Sequence, residues 1–114
     1  MKFEDLKVWQ SARMLVKNVY SSFWNSKDYW FRGQVCGAAL SIMNNIAEGN
    51  DRHSDPQLNH FLNIALGSAN EVKSMLYVWL DLWYLGQNEF DDLYNQTNHI
   101  SIMLAKFKQA IKAM

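Results

Sequence analysis

A chain of 114 residues, 49% hydrophobic and 14% aromatic with a formal net charge of zero, is long enough for one buried core and too short for two. That composition excludes disorder, and the neutral balance removes any whole-molecule electrostatic argument for nucleic acid or an anionic membrane. A charged partner has to be met by a local patch, and sign is segregated along the chain: residues 1–53 carry seven Lys/Arg against five Asp/Glu, residues 54–105 one against six, and residues 106–114 three against none. The single cysteine, Cys36, forbids an intrachain disulfide and fits a reducing compartment, so the cytoplasm is the expected location. No export signal is read in MKFEDLKVWQ, where acidic and aromatic residues interrupt any apolar run. The most apolar run, MLYVWLDLWYLG, contains Asp81 and falls well short of the roughly 20 residues needed to span a bilayer.

With one proline and five glycines the chain has few breakers, and its apolar positions recur at three and four, which predicts an all-helical protein. The first helix is expected from about residue 5 to 23, with Leu6, Trp9, Ala12, Val16, Val19 or Tyr20, and Phe23 on one stripe and Phe3 as an N-terminal staple. The second is expected over 29–48, with Val35, Ala38, Ala39, Ile42 and Ile46 inward and Gly49 as a left-handed stop. Ser54-Asp55-Pro56-Gln57 is a start signal: Ser or Asp caps, Pro suits the first turn, and Gln57 completes a capping-box pattern with Ser54. The third helix is expected to run over 55–85, with Gly86 closing it. A fourth over 88–112 shows a heptad seam of Phe90, Leu93, Thr97, Ile100, Leu104, Phe107 and Ile111. Four amphipathic segments with short connections predict one domain over 1–114, an antiparallel up-and-down four-helix bundle of left-handed supercoil.

The end of the third helix departs from amphipathicity. Met75 to Leu80, with Leu82 to Leu85, surround it on nearly every side, and a helix apolar all round has to be covered all round. A lone bundle covers one side, so Tyr77, Trp79, Trp83 and Tyr84 are candidates for burial against a second subunit. The plainer alternative is that the first helix and the N-terminal arm cover them within one chain.

No recognisable chemistry emerges. Di-iron bundles need Glu-x-x-His pairs so that carboxylate and imidazole reach one metal, and here Glu71 is followed at three by Ser74, Glu48 by Asp51 and Glu89 by Asp92. Asp51, His53 and Asp55 read as solvated or capping groups, and His60 and His99 lie on different helices, so no metal, cofactor or catalytic residue is expected. Cys36 between Val35 and Gly37 reads as a packing residue. The polar stretch SIMNNIAEGNDRHS (41–54) forms a stripe at 100° per residue with Gln34, Gly37, Ser41, Asn44, Asn45 and Glu48 in one sector. It reads as a structural motif of Ser41, Asn44, Asn45, Glu48, Gly49 and Arg52 that sets the turn between helices two and three. Glu48 at a helix C-terminus opposes the macrodipole and needs a partner: Arg52, Lys73 or backbone N–H groups of the next turn.

F-x-D-L-x-V-W-Q (Phe3, Asp5, Leu6, Val8, Trp9, Gln10), the set Gln34, Ala38, Ala39, Ser41 and Ile42, NIAEG (45–49) with Arg52 and Ser54, and FLNIALGSANE (61–71) carry a resemblance. Over most of residues 3–76 the chain resembles the four-helix-bundle proteins encoded in intervening sequences of bacterial large-subunit ribosomal RNA genes, themselves similar to the accessory variability proteins of diversity-generating retroelements. The resemblance implies a ring-like homopentamer without catalytic activity that binds RNA, DNA or a nucleic-acid enzyme. Where relatives usually carry two arginines before the paired alanines this chain has Cys36 and Gly37, so the polar stripe lacks a guanidinium. Phosphate contact then falls to Arg13, Lys17, Arg32, Arg52, Lys106, Lys108 and Lys112. A plainer reading makes the three C-terminal lysines a solvated helix end favoured by the dipole. The expected function is a non-enzymatic homo-oligomeric scaffold associating with RNA or DNA. The alternative is a scaffold for proteins alone.

Overall fold

The computed structural model describes residues 1–112 and is all-helical over them. A single 3-10 turn (Phe3–Asp5) leads into α1 (Lys7–Phe23), α2 (Tyr29–Asn50), α3 (Asp55–Asp81) and α4 (Gln87–Lys112). Each helix packs on its sequence neighbours and α1 closes on α4, with no close backbone approach across either diagonal, giving a square four-helix bundle. Cross-links such as Asn18–Gln96, Ser41–Ser68 and Asn63–Lys108 fix the antiparallel sense. The molecule is a rod of 46 × 20 × 20 Å.

Helices α2, α3 and α4 start where a side chain satisfies a free N–H group, whereas α1 starts without a side-chain cap. Ser54 Oγ accepts from the Gln57 amide at 3.4 Å, and Asp28 Oδ1 accepts from the Phe31 amide at 3.1 Å. At the head of α4 the Glu89 carboxylate reaches back to the Gly86 N–H at 3.5 Å. Gly86 therefore opens α4, contrary to the expectation that it closes α3.

The α3 helix ends at Asp81, four residues before the expected stop, because Trp83 takes a left-handed φ of 64°. The Trp83 N–H donates to the Leu80 carbonyl at 3.1 Å and the Tyr84 N–H to the Trp79 carbonyl at 2.9 Å. That is the bond pair of a Schellman stop, with a tryptophan where glycine is usual. The accompanying apolar contact is present, the rings of Trp79 and Tyr84 lying 4.9 Å apart.

Gly49 corrects a second expectation. No glycine has a positive φ, and α2 continues one residue past Gly49. The residue is glycine because α3 comes close: a Cβ there would meet Phe61 Cβ at 3.0 Å and Leu58 Cδ1 at 3.1 Å. This contact lets α2 and α3 cross tightly at the turn end of the bundle.

The core runs the length of the rod. The α2 positions Val35, Ala38, Ala39, Ile42 and Ile46 are buried as expected, and the α4 seam is buried from Phe90 to Leu104, with Phe107 and Ile111 half-covered. On α1 the buried line is Val8, Ala12, Leu15, Val19 and Phe23. Leu6, Trp9 and Val16 flank it half-buried and Tyr20 is exposed, so the stripe is turned from the expected one. Phe3 packs edge-on against Trp9, with ring centroids 5.0 Å apart.

Candidate functional site

The polar stripe of α2 divides into two parts. Ser41 and Asn45 turn toward α3: the Asn45 amide donates to Ser41 O at 2.8 Å and Oγ at 3.1 Å, and the Ser68 hydroxyl pairs with Ser41 Oγ at 2.8 Å. This small network sits beside buried Ser68 and ties the middles of the two helices. Ser68 falls on the 3–4 apolar repeat of α3 in the sequence and is buried there, but spacing did not reveal its bond to Ser41.

Asn44 and Glu48 turn to the surface and line a groove of about 480 Å³ with Phe3, Ala47 and Asp51, beside the N-terminal arm. The arm is held there by Asn50, whose amide donates to Met1 O at 3.0 Å. Of the partners open to Glu48, the structure selects Arg52, at 2.5 Å. Lys73 instead donates to Asn98 at 3.3 Å and lies 5.9 Å from the Tyr94 ring centroid. The Arg52 guanidinium also stacks over Phe61 at 4.9 Å, bridging the α2 exit to the first turns of α3. Both members of the pair are well exposed, so it contributes about 0–1 kcal/mol and fixes a side-chain position more than it stabilises the fold.

Glu48 is engaged by the Arg52 guanidinium, and Asp51 lines the same groove. Among the described residues no three His, Cys, Asp or Glu side chains come together to hold a metal ion. Cys36 is buried, and burial pushes its thiol above the ordinary value of 9.0, only partly offset by the positive charge of Arg32.

The cations form no single patch. Antiparallel helices place Arg52 and Lys106, Lys108 and Lys112 at the α2–α3 turn end of the rod, with Lys108 bonded to Asn63. Arg13 and Lys17 lie along α1, Arg13 being 5.8 Å from the centroid of the Trp9 ring. Arg32 is at the opposite end, donating to the carbonyls of Trp24 and Ser26 at 3.0 and 3.4 Å and stacked over Tyr29 at 5.1 Å.

The aromatic candidates separate as well. Trp79 is fully buried within one chain, enclosed by Phe23, Phe31 and Tyr84, and so is not an interface residue. The end of α1 covers it, as the plainer sequence reading expected, but Phe31 of α2 takes the place given to the N-terminal arm, which packs on Trp9 and Asn50. Tyr77, Trp83 and Tyr84 stay on the surface at 51%, 91% and 44% exposure.

Fold and site together define a compact helical-bundle protein. No helix among the described residues is long and apolar enough to cross a membrane. Residues 4–106 match the sequence profile of the 23S rRNA-intervening sequence proteins, and the chain belongs to that family. In structure it is similar to a protein of unknown function from the S23 ribosomal protein family of Bacteroides thetaiotaomicron VPI-5482, with a TM-score of 0.84 and 23% identity. That similarity covers 89% of this chain and 97% of the other, and it establishes the shared fold. No curated protein matches the chain.

Proposed function

We propose that the chain is a non-enzymatic, cytoplasmic accessory protein that assembles with copies of itself, in the ring of five implied by the family resemblance, and associates with RNA or DNA. The observation that carries the self-assembly is the outward face of α3. His60, Ile64, Gly67, Glu71, Ser74, Val78 and Leu82 recur at three and four along it and all are exposed, with Ile64, Val78 and Leu82 at 38%, 40% and 47%. Small residues between those apolar ones allow close approach, and a Cβ added at Gly67, or at Gly33 and Gly37 of α2, would meet nothing within 4 Å. Tyr77 adjoins this face. Light scattering at micromolar concentration tests it. A particle several times the 13.3 kDa chain mass is expected, reduced by Val78→Glu with Leu82→Glu; a monomeric wild type refutes the proposal.

Nucleic-acid contact is assigned to the turn end, where Arg52, Lys106, Lys108 and Lys112 gather and where a ring would multiply a modest patch. Binding of a structured RNA that weakens with salt, and is lost on replacing the three lysines with alanine, is the expected result. A second reading, a scaffold for proteins alone, is favoured by Arg32 and Arg52 being engaged by carbonyls, a carboxylate and rings. Absence of RNA and DNA binding at low salt decides for it.

A further inference from the structure

The end of the rod opposite Arg52 carries an unusual surface. The α1–α2 corner and the α3–α4 turn meet there, and Trp24, Tyr29, Trp30, Trp83 and Tyr84 are exposed at 69%, 67%, 73%, 91% and 44%. Trp83 is the sharpest case. Its ring contributes almost nothing to the core, yet it occupies a left-handed backbone position that glycine fills without strain. Nothing inside the chain accounts for a tryptophan there.

The same end is acidic. Asp28, Asp81, Glu89, Asp91 and Asp92 stand against Lys27 and Arg32, and the Arg32 guanidinium is already engaged by two carbonyls and the Tyr29 ring. Between the corner and the turn lies a cleft of about 340 Å³, walled by Phe23, Asn25, Asp28, Trp79 and Tyr84. Asp28 Oδ2 faces into this group at 3.3 Å from the Tyr84 hydroxyl. Trp79 in its wall holds a buried indole N–H with no acceptor, the one such side-chain group among the described residues.

We infer that this aromatic, acidic end docks an arginine- or lysine-rich segment of a protein partner. Exposed indole and phenol faces attract guanidinium and ammonium groups, and the surrounding carboxylates add to that attraction. Single-stranded nucleic acid also stacks on aromatic side chains, but it needs a cationic groove along its backbone, and here the charge has the opposite sign. The site lies at the opposite end of the rod from the turn-end cations and adjoins the α3 face at Leu82, so particle mass is read beside peptide binding to keep the two tests apart.

The test titrates the full chain with a peptide of roughly ten residues alternating Arg and Gly, read by calorimetry and tryptophan emission at near-physiological salt. A Glu–Gly peptide and oligo(dT) of similar length are run beside it. The Arg peptide is expected to bind at one site per chain, weakened about tenfold by Trp83→Gly and by Trp30→Ala. Asp81→Asn with Asp91→Asn should weaken it several-fold, and alanine at Lys106, Lys108 and Lys112 should leave it unchanged. Preference for oligo(dT), equal binding by the tryptophan variants, or a fall in particle mass in those variants overturns the proposal, the last by making this end a contact between copies of the chain.

Discussion

Replacing Trp83 with glycine is expected to stabilise the folded chain. A left-handed φ of 64° places Cβ against the following carbonyl, a clash worth about 1–2 kcal/mol for a residue other than glycine. Glycine removes the clash and loses about 0.5–1 kcal/mol to the greater freedom of the unfolded chain. Little else changes. The side chain is 91% exposed, so little apolar burial is lost. The bonds from the Trp83 and Tyr84 amides to the Leu80 and Trp79 carbonyls are main-chain and survive. The net gain lies between about 0 and 1.5 kcal/mol, centred near 0.75, and at that centre it raises the melting temperature of a domain of this size by roughly 3 °C. Thermal unfolding followed by circular dichroism at low protein concentration measures it, with Trp83→Ala as the control that keeps a Cβ and the clash. A glycine variant that melts lower than wild type, or an alanine variant that gains as much, would refute the left-handed stop as the reason.

Two glycines of α2 should respond in opposite directions to alanine: Gly49→Ala drives a methyl into Phe61 and Leu58 and should destabilise by about 1–3 kcal/mol, while Gly37→Ala meets open space and should stabilise by up to about 1 kcal/mol in denaturant melts. Ser68→Ala strips the hydroxyl joined to Ser41 and should lower stability by about 1 kcal/mol. Glu48→Gln should shift stability by less than about 1 kcal/mol, since its ion pair with Arg52 is exposed; a larger loss points to a role beyond the turn. Because burial raises the Cys36 thiol above 9.0, the folded state holds its proton where the unfolded chain releases it. Its contribution to stability is therefore complete below pH 9.0 and declines as pH rises through the folded value. Alkylation at pH 8 should be slow when folded and fast in denaturant.

Apolar spacing alone sufficed for four helices, the inward side of α2 and the unbroken seam of α4, because both depend on a 3.6-residue period that any covering partner satisfies. The Ser54 cap was equally legible, being a contact within one turn. At the candidate site the stripe from Ser41 to Glu48 was visible. Its division into an inner pair, of which Ser41 bonds Ser68, and an outer pair beside the N-terminal arm was not, because that depends on which helix lies alongside.

The two glycine errors share a cause. Gly49 and Gly86 were read as chain stops from their flexibility, but Gly49 answers to the distance of α3 and Gly86 to the start of the next helix. Trp83, a residue with no local preference for left-handed backbone, supplies the real stop because the Schellman bonds and the Trp79–Tyr84 contact outweigh its strain. The excess of aromatic residues late in α3 was plain in the sequence, whereas which of them the chain hides was set by the α1–α2 corner that encloses Trp79 and leaves Trp83 outside. Periodicity determined by itself that this chain folds as a helical bundle, since burial along a helix follows from spacing within it. Packing between helices, which no spacing encodes, decided where the bundle is tight, where it turns and which surfaces it leaves for others.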